Sequence, residues 1–341
     1  MNHFHPDKYV KIYKGKHVSK IKKVITPFRI SDAQRRPPFP FITAHEVGVL
    51  NKKRCKKVIV LDIDETLGAF NELNVLWKCI EPLAIPRVQM QPLASAVDPL
   101  AIHSCFNELL DLYPEFLRYG ILQIFHYLYQ KKVSGECYKL YIYTNNQCIN
   151  NWVSLLLNYF TYKTMQQYIT TNIQNIELFD QVIYAFKINN KPIEVRRTTH
   201  SKTYRDFIQC TMLPQSTELC FVDNTYFPEM KNEKVYYIQP LSYSHCLSVD
   251  EICGRIIVAP LWTDALKHGI TEKNIRESFY YYREPRLNKV EQFRLNMAVA
   301  QKMMFHIKEF FLFNTFHQKT KKRKLRNTGR TTKKSAHRFG L

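Results

Sequence analysis

Glycine is scarce in this chain, at 9 of 341 residues, and no internal repeat is visible. Those two absences exclude a low-complexity or linker-like composition. No C-x-x-C pair and no Cys/His cluster occurs, and the nine cysteines are an odd, scattered set. A zinc site and a disulfide framework are therefore not expected. Free thiols in a reducing, intracellular compartment, nucleus or cytoplasm, are the simplest account. No apolar run reaches the length needed to span a bilayer; the nearest, FHIKEFFLFNTF, is short and holds Lys308 and Glu309. The opening MNHFHPDKYVKIYKGK is charged and lacks an apolar centre, so no secretory signal is expected.

Apolar residues make up 45% of the chain, with 21 Tyr and 22 Phe, enough to build a sizeable core. The net charge of +21 is concentrated at the ends. Residues 1–57 hold 15 Lys and Arg against 3 acidic residues, and 319–341 hold 10 against none. The middle is close to neutral, so the chain reads as a globule with a basic arm at each end. Such arms serve solubility or contact a polyanion: nucleic acid, an acidic protein surface or a capsid interior. The run KTKKRKLR at 319–326 also fits a nuclear-localisation patch.

Short apolar runs alternate with helical patterns. KKVIVLDID (56–64), CYKLYIYTNNQ (137–147), LFDQVIYAF (178–186), ELCFVDNTYF (218–227) and VYYI (235–238) read as strands. Helices are expected over 116–130, 151–169, 202–213, from 249 to a break at Pro260, and over 290–313. The last helix would bury Val290, Phe293, Met297, Ala300, Met304, Ile307 and Phe311. Pro82, Pro86, Pro92, Pro99 and Pro114 argue against one long helix over 70–115, which reads as an insertion. The whole implies an α/β fold with a parallel central sheet. The expected division is a basic arm (1–57), a core domain (58–258), a helical extension (259–318) and a basic tail (319–341).

In parallel sheets, ligands sit beyond the carboxyl ends of the strands. Four polar sets fall there or at a helix start: Asp62 with Asp64 and Thr66; Thr144 with Asn145; Lys202; and Asp223 with Asn224. Each alone is an ordinary turn, cap or surface charge. In this order and at these boundaries they suggest a phosphate site. Asp62 and Asp64, one residue apart on a straight strand, would repel on one face, a cost a cation relieves. If the chain bends after Asp62, one carboxylate can attack while the other moves protons. Asp223 can complete a Mg²⁺ site, and Lys202 can supply charge to phosphate oxygens.

The run Asp62-Ile63-Asp64-Glu65-Thr66 resembles the D-x-D-x-[TV] signature of the haloacid dehalogenase superfamily. LDIDETL is most similar to its branch of small phosphatases acting on the RNA polymerase II C-terminal domain. YIYTNN, SKTYRDF and Phe221-Val222-Asp223-Asn224 match the later motifs, the Lys motif more loosely. The likeness spans about 56–258. It implies a Rossmann-like fold with helices on both faces, an insertion after the first strand and a C-terminal helical extension. It also implies Mg²⁺ held by Asp62, Asp223 and the carbonyl of Asp64. Asp62 would be the nucleophile and Asp64 the general acid and base. Thr144, Asn145 and Lys202 would bind phosphate, Lys202 also acting in catalysis, with Thr66 and Asn224 in support. Lys202 is followed by Thr203-Tyr204 where the family has Asp-Leu, so Arg196 or Arg197 could share its role. The expected activity is a phosphomonoesterase acting on phosphorylated protein. A nucleic-acid end phosphatase and a non-catalytic scaffold are the alternatives. The basic tail and long insertion would suit a divergent member, such as one from a large DNA virus, where a place in the virion is an option.

Overall fold

A computed structural model describes residues 9–15, 56–89, 99–148, 151–168, 176–259, 271–282 and 288–312. Most of the basic N-terminal arm, the tail and its 319–326 run lie outside the described residues.

Five short strands form the parallel part of the sheet: β2 (Lys57–Leu61), β3 (Lys139–Tyr143), β4 (Gln181–Ile183), β7 (Glu218–Val222) and β8 (Val235–Pro240). A sixth, β1 (Val10–Lys14), pairs antiparallel with β8 along one edge. The order is β1-β8-β7-β2-β3-β4, which puts the first parallel strand in the centre. This is a Rossmann-like α/β arrangement with a mostly parallel sheet. A two-stranded hairpin, β5 (Lys187–Ile188) and β6 (Lys191–Pro192), stands apart.

The apolar strand runs divide by alternate residues between the two faces. Ile59, Leu61, Leu140, Ile142, Cys220 and Val222 join the larger core cluster. Val58, Val60, Tyr141, Tyr143, Leu219 and Phe221 join the smaller one, with Phe207 and Cys210 of α5 (Tyr204–Thr211). The larger face is covered by helices that include α3 (Ile121–Val133) and α4 (Trp152–Met165).

The 70–115 segment is helical, as α1 (Phe70–Gln89) and α2 (Pro99–Leu112), with residues 90–98 between them outside the described set. Pro82 and Pro86 lie within the span of α1, so proline did not stop this helix. Leu73, Leu76, Trp77 and Ile80 are buried in the large cluster, and this packing outweighs the hydrogen bonds that two prolines remove.

Helix α6 (Val249–Val258) opens on a capping box between Ser248 and Glu251 and closes at Ala259, whose backbone is extended. Extended geometry is what a residue before proline favours. Helix α7 (Glu272–Ser278) follows, then α8 (Lys289–Leu312). Ala300, Met304 and Ile307 of α8 are buried as expected, but the start of the helix turns a different face inward. Val290 and Phe293 are 59% and 50% exposed, while Leu295, Val299, Met303 and Ile307 join the main core. Phe293 instead meets Tyr119 edge-on at 5.2 Å.

Candidate functional site

Strand β2 lies between β7, which comes late in the chain, and β3, which follows it. Chain order reverses here, and the crevice beyond such a reversal is where open α/β sheets bind ligands. Asp62 leaves β2 and Asp223 leaves β7 side by side. Asp62 N–H donates to Val222 O (3.0 Å) and Asp223 N–H to Ile238 O (3.1 Å). Thr144 leaves β3, with its N–H on Ile183 O (3.0 Å).

After Asp62 the chain bends sharply. Thr66 and Leu67 N–H both donate to Ile63 O (3.2 and 2.8 Å), and Glu65 N–H donates to Gly68 O (2.8 Å). Glu65 adopts φ 56°, a left-handed conformation that a non-glycine residue takes only at a cost. Gly68 is needed for close approach: a Cβ there would lie 2.4 Å from Phe116 O. Across the bend the two carboxylates take different hydrogen-bond partners.

Lys202 sits between the strand ends, just before Thr203, whose hydroxyl caps α5 by accepting from Asp206 N–H (2.9 Å). Its Nζ donates to Asp62 Oδ1 (2.5 Å) and Asp223 Oδ2 (2.7 Å), and only 2% of the residue is exposed. The rings of Phe227 and Tyr143 lie 5.4 and 5.8 Å from it. Burial by itself lowers the Lys202 pKa; the charges of Asp223 and Asp62 outweigh it, and the net direction is upward. Asp223 is also raised, first by burial and then by the charge of Asp62, against the opposing effect of Lys202. Two buried carboxylates thus share one ammonium.

Thr66 ties the site together. Its hydroxyl lies 2.9 Å from Asp62 Oδ2 and 2.8 Å from Asn224 Oδ1, and accepts Asn224 N–H at 3.0 Å. Asp64 stands slightly apart. Its Oδ2 accepts from Asn146 Nδ2 (2.8 Å), and its Oδ1 is buried without a hydrogen-bond partner. Burial is the main cause that pushes the Asp64 carboxyl up to about 6; Asn146 opposes it and Asp62 adds to it.

Five of the expected residues therefore form one hydrogen-bonded group, Asp62, Thr66, Lys202, Asp223 and Asn224, and Asp64 lies beside it on Asn146. Thr144 is fully buried, and its hydroxyl accepts Asn146 N–H (2.9 Å). Asn145 turns away from Asp64, its Oδ1 accepting from Arg197 Nη2 (2.8 Å). Arg196 is exposed. Arg197 is buried and donates to the carbonyls of Thr144 (3.2 Å), Tyr184 (2.7 Å), His200 (3.0 Å) and Ser201 (3.2 Å). It clamps two loops and leaves the carboxylates to Lys202.

Two neighbours, Asn146 and Arg118, were not singled out from the sequence, and a third, Arg197, has a role other than the expected one. Asn146 was visible as the second Asn of the TNN turn. Arg197 was weighed only as a phosphate cation. Arg118 carries no motif; it is buried, and donates to Thr66 O (2.5 Å), Glu65 O (2.5 Å) and Leu241 O (2.7 Å).

Among the described residues, no group of three His, Cys, Asp or Glu side chains is arranged to hold a metal ion. The oxygens available at the strand ends are two side-chain carboxylates, Asp62 and Asp223, with backbone carbonyls of the 62–68 loop. Among the described residues no helix is long and apolar enough to cross a membrane. The chain matches no family model, no curated protein sequence and no solved structure.

Proposed function

We propose that this protein is a Mg²⁺-dependent phosphomonoesterase of the haloacid dehalogenase type, working through a phosphoaspartate at Asp62. One observation carries the reading: Asp62, Asp223 and Lys202 meet at the reversal of strand order, beside an Asp64 with a raised pKa and an unpartnered oxygen.

A carboxylate oxygen of Asp62 attacks phosphorus, and the bond from phosphorus to the leaving oxygen breaks. Asp64, protonated near its raised pKa of about 6, delivers its proton to that oxygen and releases an alcohol. Asp64, now a carboxylate, takes a proton from water as the water oxygen attacks the acyl phosphate. The bond from phosphorus to Asp62 breaks, inorganic phosphate leaves and Asp62 is restored. Each turn consumes one water and one phosphomonoester. Lys202 offers fixed positive charge to the phosphoryl oxygens.

The donor set suits Mg²⁺: hard oxygens from Asp62, Asp223 and the carbonyl of Asp64, with waters filling the rest. Two buried carboxylates with a single ammonium between them leave an excess of negative charge that such an ion relieves. Bound there, it would stabilise charge on the phosphoryl group.

The motif likeness favours phosphoserine or phosphothreonine in a protein as substrate. The basic ends favour a second reading, a nucleic-acid end phosphatase, because phosphate contacts raise affinity without reading sequence. Hydrolysis of p-nitrophenyl phosphate should require Mg²⁺ and vanish in Asp62→Asn; turnover that survives that change sinks the mechanism. Rates on a phosphoserine peptide and on a phosphorylated DNA end separate the two substrates.

A further inference from the structure

The two halves of the site are held by different arginines. Asp62 and Asp64 lie on the 62–68 bend, whose carbonyls at Glu65 and Thr66 accept from Arg118. The other half, Lys202 with the turn after β3, is gathered around Arg197. This residue is 2% exposed, and its guanidinium reaches oxygens from three segments. Nη1 donates to Thr144 O (3.2 Å), just past β3, and to Tyr184 O (2.7 Å), just past β4. Nη2 donates to Asn145 Oδ1 (2.8 Å), and to His200 O (3.0 Å) and Ser201 O (3.2 Å), the two carbonyls immediately before Lys202.

The chain beyond Lys202 is tied to the same centre. Thr203 N–H donates to the hydroxyl of Tyr143 (3.3 Å), the last residue of β3. The ring of Tyr143 stands between two cations, 4.9 Å from the Arg197 guanidinium and 5.8 Å from Lys202 Nζ. Asp206 is fully buried and accepts from Thr198 N–H (3.0 Å) and the Thr198 hydroxyl (2.9 Å), which draws 198–206 into a closed loop. Backbone on both sides of Lys202 is therefore fixed. A lysine is a point charge on a flexible stem, so its seat between Asp62 and Asp223 depends on where its backbone is held.

We propose that Arg197 is a positioning residue that seats Lys202 on Asp62 and Asp223. All five of its acceptors are neutral oxygens. Burying a charge among neutral groups is unfavourable unless its hydrogen bonds are met, and the planar fork meets them from a single side chain. A lysine in its place would offer three donors from one point to five separate acceptors. Because the same fork holds Thr144 O, Lys202 and the turn after β3 are set as one unit. On the phosphatase reading, that unit is the half of the site that binds the phosphoryl group. The seating of Lys202 does not depend on that reading.

Acetylation of lysines by acetic anhydride, followed by mass spectrometry on the full chain, tests the seating without any turnover. Lys132 is the internal control: it is buried on Asp180, at the opposite end of β4. In Arg197→Lys, Lys202 should label at least about tenfold faster than in the natural protein, with Lys132 unchanged. Asn145→Ala frees one acceptor of Nη2 and should give a smaller rise at Lys202 alone; it decides the matter if Arg197→Lys does not fold. Unchanged labelling of Lys202, or an equal rise at Lys132, overturns the proposal. Titration calorimetry with inorganic phosphate and Mg²⁺ adds a second reading. Affinity should fall by about tenfold or more in Arg197→Lys, and the same change made in Lys202→Met should have little further effect. An undiminished effect without Lys202 overturns the proposal. If the natural protein binds no phosphate, the phosphatase reading falls, and selective labelling still upholds the seating of Lys202.

Discussion

Arg118 Nη2 donates to the carbonyl oxygen of Glu65 at 2.5 Å, fixing the one residue of the 62–68 bend that has positive φ. The same guanidinium holds Thr66 O through Nε and lies 5.3 Å from the Tyr243 ring. Tyr243 N–H in turn donates to Glu65 O (2.9 Å). Arg118 is thus a positioning residue for the bend that carries Asp62 and Asp64. Arg118→Ala would strip a donor from the carbonyls of Thr66, Glu65 and Leu241; the buried Thr66 loss alone is worth about 1–3 kcal/mol, and stability should fall by at least that much. Arg118→Lys keeps charge but not the fork. It should fold, and should lose about 10–100-fold in kcat with little change in KM, since small misplacements of reacting groups carry such costs. Chemical denaturation and steady-state kinetics on p-nitrophenyl phosphate check both.

In the proposed mechanism, Lys202 and Mg²⁺ would serve the same two carboxylates. Lys202→Met leaves Asp62 and Asp223 buried and unpaired, which should cost about 3–5 kcal/mol without metal. Mg²⁺ should raise the melting temperature of the natural protein, by the equivalent of about 2.7 kcal/mol at a concentration 100 times Kd. Differential scanning fluorimetry with Mg²⁺ and with a chelator reads both effects. Identical melting in the two buffers would tell against a metal at this site.

In the proposed mechanism Asp64 has separate duties in the two half-reactions, so Asp64→Asn should split them. A leaving group as good as p-nitrophenolate needs little protonation, so Asp62 should still be phosphorylated. Hydrolysis lacks its base. A rapid-quench experiment should show release of about one equivalent of product and then near-arrest. Steady turnover at the natural rate would remove Asp64 from the second step.

His245 provides a pH test away from the carboxylates. Its ring stacks on Tyr282 (5.3 Å) and meets Phe116 edge-on (4.7 Å); Nδ1 accepts Leu247 N–H (3.1 Å), and Nε2 is buried without a partner. Burial pushes the imidazole down to about 4, from an ordinary value of 6.5. The unfolded chain binds the proton first as pH falls. The contribution of His245 is therefore present above pH 6.5 and is lost between 6.5 and 4, on the order of 3 kcal/mol. Urea unfolding across that window should show the loss, and His245→Gln should flatten it.

Much of the architecture was legible because it rests on local pattern. Runs such as VIVL and LYIY state a strand buried on both faces, since nothing polar interrupts them. Asp62, Thr144 and Asp223 were legible because each is the first polar residue after such a run. The 3.6-residue period announced α8 and the later part of its buried face, Ala300, Met304 and Ile307, but not the part at its start. Choosing between Phe293 and Leu295 depends on which neighbour arrives, and Tyr119 is 174 positions away.

The sequence by itself determined the alternation of strands and helices, the places where polar residues end them, and the gathering of charge into the chain's ends. Tertiary structure decided what those residues touch. Asn146 rather than Asn145 reaches Asp64, Lys202 rather than Arg197 joins the carboxylates, and Arg118 holds the bend from a segment with no motif. It also decided that Lys14, Lys57 and the end of α8 share one pole. The physical reason is the same throughout. Local pattern follows from covalent geometry and solvation along a few residues. Side-chain partners and poles depend on strand order and direction, which are set only when distant segments pack.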